Sequence, residues 1–442
     1  MQFSTIILAA GKGSRFKSEI PKPLHNLANK PMLEWVIDLS YECGTDDLIT
    51  VIPKNSQLIE NWIKNYNFVV QDKPKGTGDA VLSCEDFLKK TKNEIILILY
   101  ADIPLVKKKT IRNLLNQMES KSDLSLLAFE TDNPNGYGRL ITSDNLKVTE
   151  IIEDKEANKD QKKINLVNGG ILAVKKEILL DYLPKVTPKN GEIYLTDLVK
   201  ISNEYNKSIS YVLSKEEELL GINDRQELAK AENFLQKQLR SQAMLNGVTL
   251  IAPETVFLSA DTVFEKDVII EPNVIIGKNV YLSSGTTVKS FSHLEGIKCE
   301  RNTEIGPFAR LRSGTVLKEK SKIGNFVEIK NSFIGKNTKV NHLSYIGDAE
   351  ISNTVNIGAG TITCNYDGKN KHKTKIGEGS FIGSNSSLIA PINIGENSII
   401  GAGSTITENV ENNSLSIERS KQIHKKKKHN KKWILKKTSQ TL

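Results

Sequence analysis

Ile376-Gly-Glu-Gly-Ser-Phe-Ile382-Gly-Ser-Asn-Ser-Ser-Leu388-Ile-Ala-Pro-Ile-Asn-Ile394-Gly-Glu-Asn-Ser-Ile-Ile400-Gly-Ala-Gly-Ser-Thr-Ile406 is the stretch whose reading decides the fold of the C-terminal half. A large aliphatic residue returns every six positions, a period that matches neither the 3.6 of a helix nor the 2 of an ordinary strand. Moving outward, Ile305, Leu311, Leu317, Ile323 and Ile329 keep the same beat, as do Ile270, Ile276, Leu282 and Val288. The pattern predicts a solenoid of short strands and turns, each aliphatic side chain stacking on one a coil above. Glycines follow the isoleucines at Gly277, Gly306, Gly324, Gly335, Gly347, Gly358, Gly377, Gly383, Gly395 and Gly401, where tight corners leave little room for a side chain.

Two irregularities interrupt the beat. Between Ile357 and Ile376 lies a polar excursion, Thr361-Ile-Thr-Cys-Asn-Tyr-Asp-Gly-Lys-Asn-Lys-His-Lys373, expected to leave the coil as a loop, and loops on rigid scaffolds tend to carry function. Around Ser290 to Arg301 the period blurs and places no strands.

The 442 residues are too many for one core. Strand and helix patterns alternate before about residue 225, and the sixfold period rules after about 250. The expected division is 1–223 as an α/β domain, 224–247 as a linker helix, 248–419 as the solenoid and 420–442 as a lysine-rich tail. Nine of the 61 Lys and Arg fall in that tail, which holds no acid, and the remainder matches the 52 Asp and Glu. Such a run, Lys421 to Lys437, suits contact with phosphates, RNA or an anionic membrane, and equally a solvated terminus. The solvated terminus is the expectation, with no nucleic-acid partner. Cys43, Cys84, Cys299 and Cys364 have no metal spacing and no disulfide framework, and no apolar run approaches a membrane span. The expectation is a soluble cytoplasmic protein.

In the first half, Thr5 to Ala10 suits a buried parallel strand and runs directly into Gly11-Lys-Gly-Ser-Arg15. Apolar runs at Leu48 to Ile52, Phe68 to Val70, Ile95 to Leu99 and Leu124 to Phe129 alternate with amphipathic stretches such as Met32 to Cys43. This predicts a doubly wound, Rossmann-like α/β sheet with its ligand at the carboxyl ends of the strands. The glycine turn lets backbone N–H groups approach phosphates, with Lys12, Arg15 and Lys22 supplying charge. Its spacing is neither that of a Walker A loop nor that of a complete dinucleotide fingerprint.

Leu8-Ala9-Ala10-Gly11-Lys-Gly-Ser-Arg15 is followed in order by Pro21-Lys22-Pro-Leu24, Gln71 with Gly76-Thr77-Gly78, Tyr100-Ala-Asp102 and Gly136-Tyr-Gly138-Arg139. Glu153, Asn168-Gly-Gly170, Gly191-Glu-Ile-Tyr-Leu-Thr-Asp197 and Gly221-Ile-Asn223-Asp224 complete the series. The set resembles the signature of sugar-phosphate nucleotidyltransferases. That resemblance implies a UTP and UDP-sugar site built from Leu8, Ala9, Ala10, Gly11, Arg15, Lys22, Tyr100 and Asp102. It implies Lys22 and Arg15 on phosphates, Gln71, Gly76 and Thr77 on the uracil, and Gly138, Glu153 and Asn168 on the sugar. Asp102 and Asn223 would hold Mg²⁺, since carboxylate and amide oxygens are hard ligands. The family often has Tyr-Gly-Asp where this chain has Ala101, whose methyl is expected to tighten the nucleotide pocket.

Asp224 to Leu245 reads as a helix, with Asp224 as N-cap, Glu227 completing a capping box, Gly247 as stop and an apolar stripe at Leu228, Ala231, Leu235 and Leu239. Beyond it come Ile305-Gly-Pro-Phe-Ala-Arg-Leu-Arg312, Gly324-Asn-Phe-Val-Glu-Ile-Lys330, His342-Leu-Ser-Tyr345-Ile-Gly-Asp348, Asn356-Ile-Gly-Ala359-Gly-Thr361, Thr363-Cys-Asn365-Tyr366-Asp-Gly368 and Ile382-Gly-Ser384. Together with the N-terminal series these resemble the bacterial family of bifunctional N-acetylglucosamine-1-phosphate uridyltransferases and glucosamine-1-phosphate N-acetyltransferases, over nearly the whole chain. The resemblance implies a left-handed parallel β-helix that trimerises, with acetyl-transfer sites between subunits. It makes His342 the general base, a residue type suited to accept a proton near neutral pH. Arg312 and Lys330 would bind the glucosamine 1-phosphate, with Tyr345 and Asn356 on its sugar. Ala359, Asn365, Tyr366, Ser384, Ala402 and Arg419 would line the acetyl-CoA site. The implied product, after N-acetylglucosamine 1-phosphate reacts with UTP, is UDP-N-acetylglucosamine for cell-envelope polysaccharides. The alternative is a nucleotide-sugar pyrophosphorylase whose β-helix only assembles it. Trp433, Ile434 and Leu435 are candidates for docking on a neighbouring subunit.

Overall fold

A computed structural model of the chain describes residues 1–120, 122–143, 147–189 and 191–425. Most of the lysine-rich run, with Trp433, Ile434 and Leu435, lies outside them. The chain divides into two compact units, one of residues 1–263 with 275–279 and the other of 264–274 with 280 onward.

The first unit is built on a mixed sheet. Its order is Ile209–Leu213, Leu124–Glu130, Leu166–Lys175, Ile95–Tyr100, Phe3–Leu8, Asp47–Pro53, Phe68–Gln71. All neighbours are parallel except Leu166–Lys175, which runs antiparallel to both of its own. Every residue of Phe3–Leu8 is buried, so both faces are covered and the strand reads as an unbroken apolar run. Leu8 lies level with Tyr100 in the adjacent strand, which sets the glycine turn and Asp102 side by side at the carboxyl edge. There the chain order reverses across the sheet, the position where such folds open a crevice.

The linker helix spans Arg225–Leu245, capped by Asp224, whose side chain accepts from the amides of Gln226 and Glu227. Glu227 corrects the capping-box expectation: its carboxylate accepts from the amide of Asn223 at 2.5 Å, one residue further back. The apolar stripe behaves as expected. Ala231 and Leu235 are buried with Phe16, Leu27, Met32, Leu105 and Ile222, with Leu228 and Leu239 packed against them. The helix thereby braces the loop that carries Lys22, and Arg225 Nε donates to Phe16 O at 3.1 Å.

The second unit is a parallel β-helix of the left-handed hexapeptide class. Its strands stack into three sheets, one per face, each paired with the strand one coil later. Ile270, Leu282, Val288, Ile305, Leu311, Leu317, Ile323 and Ile329 point inward and are essentially inaccessible. Burying such a side chain stabilises by about 1.5–3 kcal/mol. The corner glycines are required for space more than for backbone angle: a Cβ on Gly324 would lie 1.8 Å from Asn341 O, and on Gly358 2.5 Å from Ser384 N. The left-handed turns fall instead on residues such as Asn273, Asn302, Asn385 and Asn397, the type that best tolerates them after glycine.

Both irregularities resolve into coils. The blurred region contains strands His293–Leu294 and Ile297–Cys299, with Leu294 and Cys299 at the inward positions. The excursion is shorter than expected: Ile362–Cys364 stays in the coil as a strand with Thr363 buried in the aliphatic position, and only the residues after it leave. Thr363 fits there because its hydroxyl meets the amide of Gly347 at 2.8 Å and the carbonyl at 3.1 Å.

Candidate active sites

The first site lies at the carboxyl edge of the mixed sheet. A cavity of about 410 Å³ is lined by Leu8, Ala10, Gly11, Lys12, Gln71, Pro74, Gly76, Thr77, Ala80, Tyr100, Asp102 and Glu192. Eight of these were expected from sequence as nucleotide contacts. A Cβ on Gly11 would meet nothing within 4 Å among the described residues, which leaves its backbone open to a ligand, whereas one on Gly13 would lie 2.7 Å from Lys22 Cβ. Gly13, at φ +60, thus lets Lys22 fold back over the turn. Gly76, at φ +97, is held under Ile193, whose carbonyl would be 2.5 Å from an added Cβ. The segment Glu192 to Leu195 closes over this turn, with the Leu195 amide donating to Thr77 Oγ1 at 3.0 Å. Gln71 is buried, its Nε2 donating to Asp79 Oδ2 at 2.6 Å and Gly76 O at 3.2 Å.

Lys22 Nζ donates to Asp102 Oδ2 and, at 3.0 Å, to Asn223 Oδ1. The Ile222 amide donates to Asp102 O at 2.9 Å, fastening the two segments together. Two oxygens far apart in sequence therefore converge on one cation, as a divalent ion would need. Among the described residues there is no group of three or more His, Cys, Asp or Glu to hold a metal alone. This donor set fits a hard divalent cation that keeps waters and combines one or two protein oxygens with substrate phosphates.

Gly138, Glu153 and Asn168 also come together. The Asn168 amide donates to Gly138 O at 2.8 Å, and a Cβ on Gly138 would stand 3.7 Å from the Glu153 carboxylate. Burial raises the Glu153 pKa above the usual carboxylate value, partly offset by Thr196 Oγ1 donating to it at 2.7 Å. Ala9 and Ala101 are not among the residues that line the cavity: both are buried in the core, and the Ala9 amide is used on Val51 O. Arg15 stands exposed on the turn Ser14–Phe16. Arg139 is fully buried, paired with Asp154 at 2.9 Å.

His25, beside this loop, is buried against Phe16 at 4.6 Å between ring centroids, and its Nε2 has no partner among the described residues. Burial, then the charge of Arg225, lowers its pKa from the ordinary 6.5. The unfolded chain therefore binds this proton first, and its contribution to stability is present above pH 6.5 and lost as pH falls through the lower folded value. In urea unfolding followed by Trp35 and Trp62 fluorescence, His25→Asn is expected to flatten the loss of stability between pH 7 and pH 5.

The second site follows a corner of the β-helix. The strand register places Asn325 beside His342 in successive coils, and the same corner continues through Ala359, Ser384 and Ala402. Coils are about 4.8 Å apart. Arg419 Nη1 donates to Ala402 O at 2.9 Å and closes the column. The next position along this corner holds Phe291, Phe308, Phe326 and Leu343, then changes to Gly360, Asn385 and Gly403 above His342. The bulky apolar column therefore gives way to smaller residues where His342 stands.

Arg312 and Lys330 occupy the following corner. Arg312 pairs with Glu328 at 2.8 Å, and the Lys330 pKa is lowered below the usual lysine value by its hydrogen bond with Lys371 and the charge of that residue, then by desolvation and the charge of Arg312. Three crowded cations suit an anion. Lys371 comes from the excursion, closed by a bridge between Tyr366 and Lys371 and by Asp367 accepting from the amides of Lys369 and Asn370. Asn365 Nδ2 donates to Asp348 Oδ2, and Asn331 Nδ2 donates to Asp348 Oδ1 at 2.6 Å. A Cβ on Gly347 would lie 2.5 Å from Tyr345 Oη, so Tyr345 and Asn365 share one pocket edge. Asn356 is not brought to them: its strand belongs to a different face from that of Tyr345. Sequence reasoning did not single out Asn325, Asp348, Lys371 or Glu192 as site residues, although all four lie in or beside the quoted motifs.

The family model of the MobA-like NTP transferase domain matches residues 5–152, and that of the bacterial transferase hexapeptide (six repeats) matches residues 373–408. The chain is 46% identical over 431 residues to a protein of Zymomonas mobilis named Bifunctional protein GlmU, covering 96% of each. It is 42% identical over 428 residues to one of the same name from Bartonella quintana, covering 96% of this chain and 95% of that one. With another from Fervidobacterium nodosum it shares 42% identity over 440 residues, 95% of each.

Proposed function

This chain belongs to the family of bifunctional GlmU proteins, and from that premise we propose that each reaction of the pair takes place in one unit, at the residues described above. It is a uridyltransferase and a glucosamine-1-phosphate acetyltransferase. The proposed domains are 1–223 for uridylyl transfer, 224–247 as linker, 248–419 for acetyl transfer and 420–442 as a lysine-rich tail.

In the β-helix, the amine of glucosamine 1-phosphate attacks the thioester carbon of acetyl-CoA, His342 takes the amine proton, and the CoA thiolate leaves. Arg312 and Lys330 hold the phosphate, Tyr345 and Asn356 the sugar, and the corner along Ala359, Ser384 and Ala402 takes the acetyl-CoA with Asn365, Tyr366 and Arg419. The observation that carries this reading is the single column running from His342 through Ala359 and Ser384 to Ala402, along which the proposed base and acyl donor would lie at one corner. In the α/β unit, a phosphate oxygen of N-acetylglucosamine 1-phosphate attacks the α-phosphorus of UTP and pyrophosphate leaves. The attacking oxygen is already ionised, so no general base is required. Gln71, Gly76 and Thr77 hold the uracil, Gly138, Glu153 and Asn168 the sugar, and Lys22 and Arg15 the phosphates. Mg²⁺ held by Asp102 and Asn223 would neutralise charge on the transferring phosphate.

The test supplies glucosamine 1-phosphate, acetyl-CoA, UTP and Mg²⁺ and identifies products by mass spectrometry. UDP-N-acetylglucosamine is expected. Uridylylation of added N-acetylglucosamine 1-phosphate without any acetylated sugar from glucosamine 1-phosphate would reduce the β-helix to an assembly domain.

The assembly is a homotrimer in this reading. The separation of Asn356 from Tyr345 and Lys330 leaves one chain with its sugar contacts on two faces, which a second copy can join. Phe291, Phe308, Phe326 and Leu343 are 55%, 45%, 55% and 62% exposed, and the phenyl rings stack at 5.0 and 5.1 Å. All four adopt positive φ, a conformation costly for bulky residues, and such an apolar column beside His342 suits a subunit contact. Replacing Phe308 and Phe326 with Asp is expected to shift the sedimenting species from trimer to monomer and to remove acetyl transfer while sparing uridylyl transfer. The location is cytoplasmic in this reading, supported by four free cysteines.

A further inference from the structure

We propose that Asn325 is the positioning residue for the acetyl-transfer base, fixing His342 in the tautomer whose Nε2 carries the lone pair. The inference rests on the reading of His342 as that base. His342 Nδ1 lies 2.7 Å from Asn325 Oδ1, and the two are register partners in parallel strands one coil apart. An amide oxygen only accepts, so the ring must donate from Nδ1. Nε2 is then left to receive the amine proton.

The remainder of the local structure serves this geometry. A Cβ on Gly324 would collide with Asn341 O, so only glycine before Asn325 allows the two strands this approach. The His342 carbonyl accepts from Ser344 Oγ at 2.8 Å and from the Gly360 amide at 3.3 Å, which pins the backbone while Asn325 pins the ring. An exposed imidazole without such a partner would divide its population between tautomers and rotamers.

The neutrality of Asn325 matters as much as its oxygen. A carboxylate in its place would favour the imidazolium, and a base already carrying its proton cannot take another. The groups that bond His342 are an amide, a hydroxyl and a backbone amide. Lys322 and Lys339 open the two strands that carry the pair, and Glu328 and Tyr345 stand on the next face. None of these four is among the described hydrogen-bond partners of the ring.

The experiment compares Asn325→Ala, Asn325→Asp and His342→Ala with wild type in acetyl-transfer kinetics from pH 5.5 to 9, with thermal midpoints as a folding check. Asn325→Ala is expected to lower kcat by about 10- to 100-fold with the KM for acetyl-CoA nearly unchanged. Asn325→Asp keeps the acceptor, recovers much of that loss near pH 8, and moves the acidic limb of kcat/KM upward by about 1 pH unit. Nitrogen-15 chemical shifts of His342 should report the Nδ1–H tautomer in wild type and a mixture in Asn325→Ala, a readout independent of turnover. Wild-type kcat and an unmoved acidic limb in both Asn325 variants, with His342→Ala inactive, would overturn the proposal and leave the base assignment standing. Retention of activity by His342→Ala would instead remove the base assignment itself.

Discussion

His342→Ala is expected to lower kcat for acetyl transfer by roughly 10²- to 10⁴-fold, the range that general base catalysis contributes. His342 is exposed at a corner, and the inward residue two positions before it, Val340, is untouched by the change. The substitution therefore leaves the coil intact, and the loss falls on kcat rather than on folding. KM for glucosamine 1-phosphate should change little, because its phosphate is assigned to Arg312 and Lys330 at the following corner. Uridylyl transfer in the other unit should be unaffected. The measurement is thiol release from acetyl-CoA alongside pyrophosphate release from UTP, and a kcat within threefold of wild type in the first assay would refute the assignment.

The β-helix was legible because every coil must present an aliphatic side chain inward, and that demand writes a period into the sequence. Where it failed, the reason is local. From Leu294 to Cys299 the step is five residues rather than six, and Gly296, at φ +61, lies so near Ser313 that a Cβ would be 2.4 Å from its hydroxyl. A tighter corner and a cysteine in place of an aliphatic residue break the beat without breaking the coil. Thr363 conceals another strand in the same way, since its hydroxyl finds partners that let a polar side chain sit inside. Glu227 shows the limit for helix caps: the motif predicted a reciprocal bond to Asp224, but the carboxylate bonds the amide of Asn223, where it steadies a proposed metal ligand.

The sites divide similarly. Leu8, Gly11, Gln71, Gly76, Thr77, Tyr100 and Asp102 were recognised as an ordered set and converge on one cavity, because strand ends at one sheet edge are close whatever their separation in sequence. Asn325, Asp348 and Lys371 were not recognised, since their roles depend on stacking. Asn325 precedes His342 by 17 residues, one coil of this solenoid, and only the coil length turns that separation into contact. Lys371 reaches Lys330 because the excursion folds back as a closed turn, which no period could predict.

Asp102→Ala should abolish uridylyl transfer, by about 10³-fold or more, and cause N-acetylglucosamine 1-phosphate to accumulate from a mixture of glucosamine 1-phosphate, acetyl-CoA, UTP and Mg²⁺. Lys22 explains the size of the effect. Its ammonium is held between Asp102 Oδ2 and Asn223 Oδ1, and these are the same oxygens proposed to bind the divalent ion. Removing the carboxylate leaves one amide oxygen and an uncompensated ammonium, so the position that attracted a cation now repels one. A few kcal/mol of lost charge stabilisation in the transition state corresponds to the stated factor, at one decade per 1.36 kcal/mol. Asp102→Asn preserves volume and one oxygen while removing the charge, and should be nearly as inactive if charge is what matters. Recovery of Asp102→Asn at high Mg²⁺ would point to weakened metal affinity, whereas inactivity at every concentration would point to loss of the charge that offsets Lys22 during transfer. Formation of UDP-N-acetylglucosamine by Asp102→Ala within threefold of the wild-type rate would place the metal elsewhere and reduce the Lys22–Asp102 pair to a structural ion pair at the edge of the sheet.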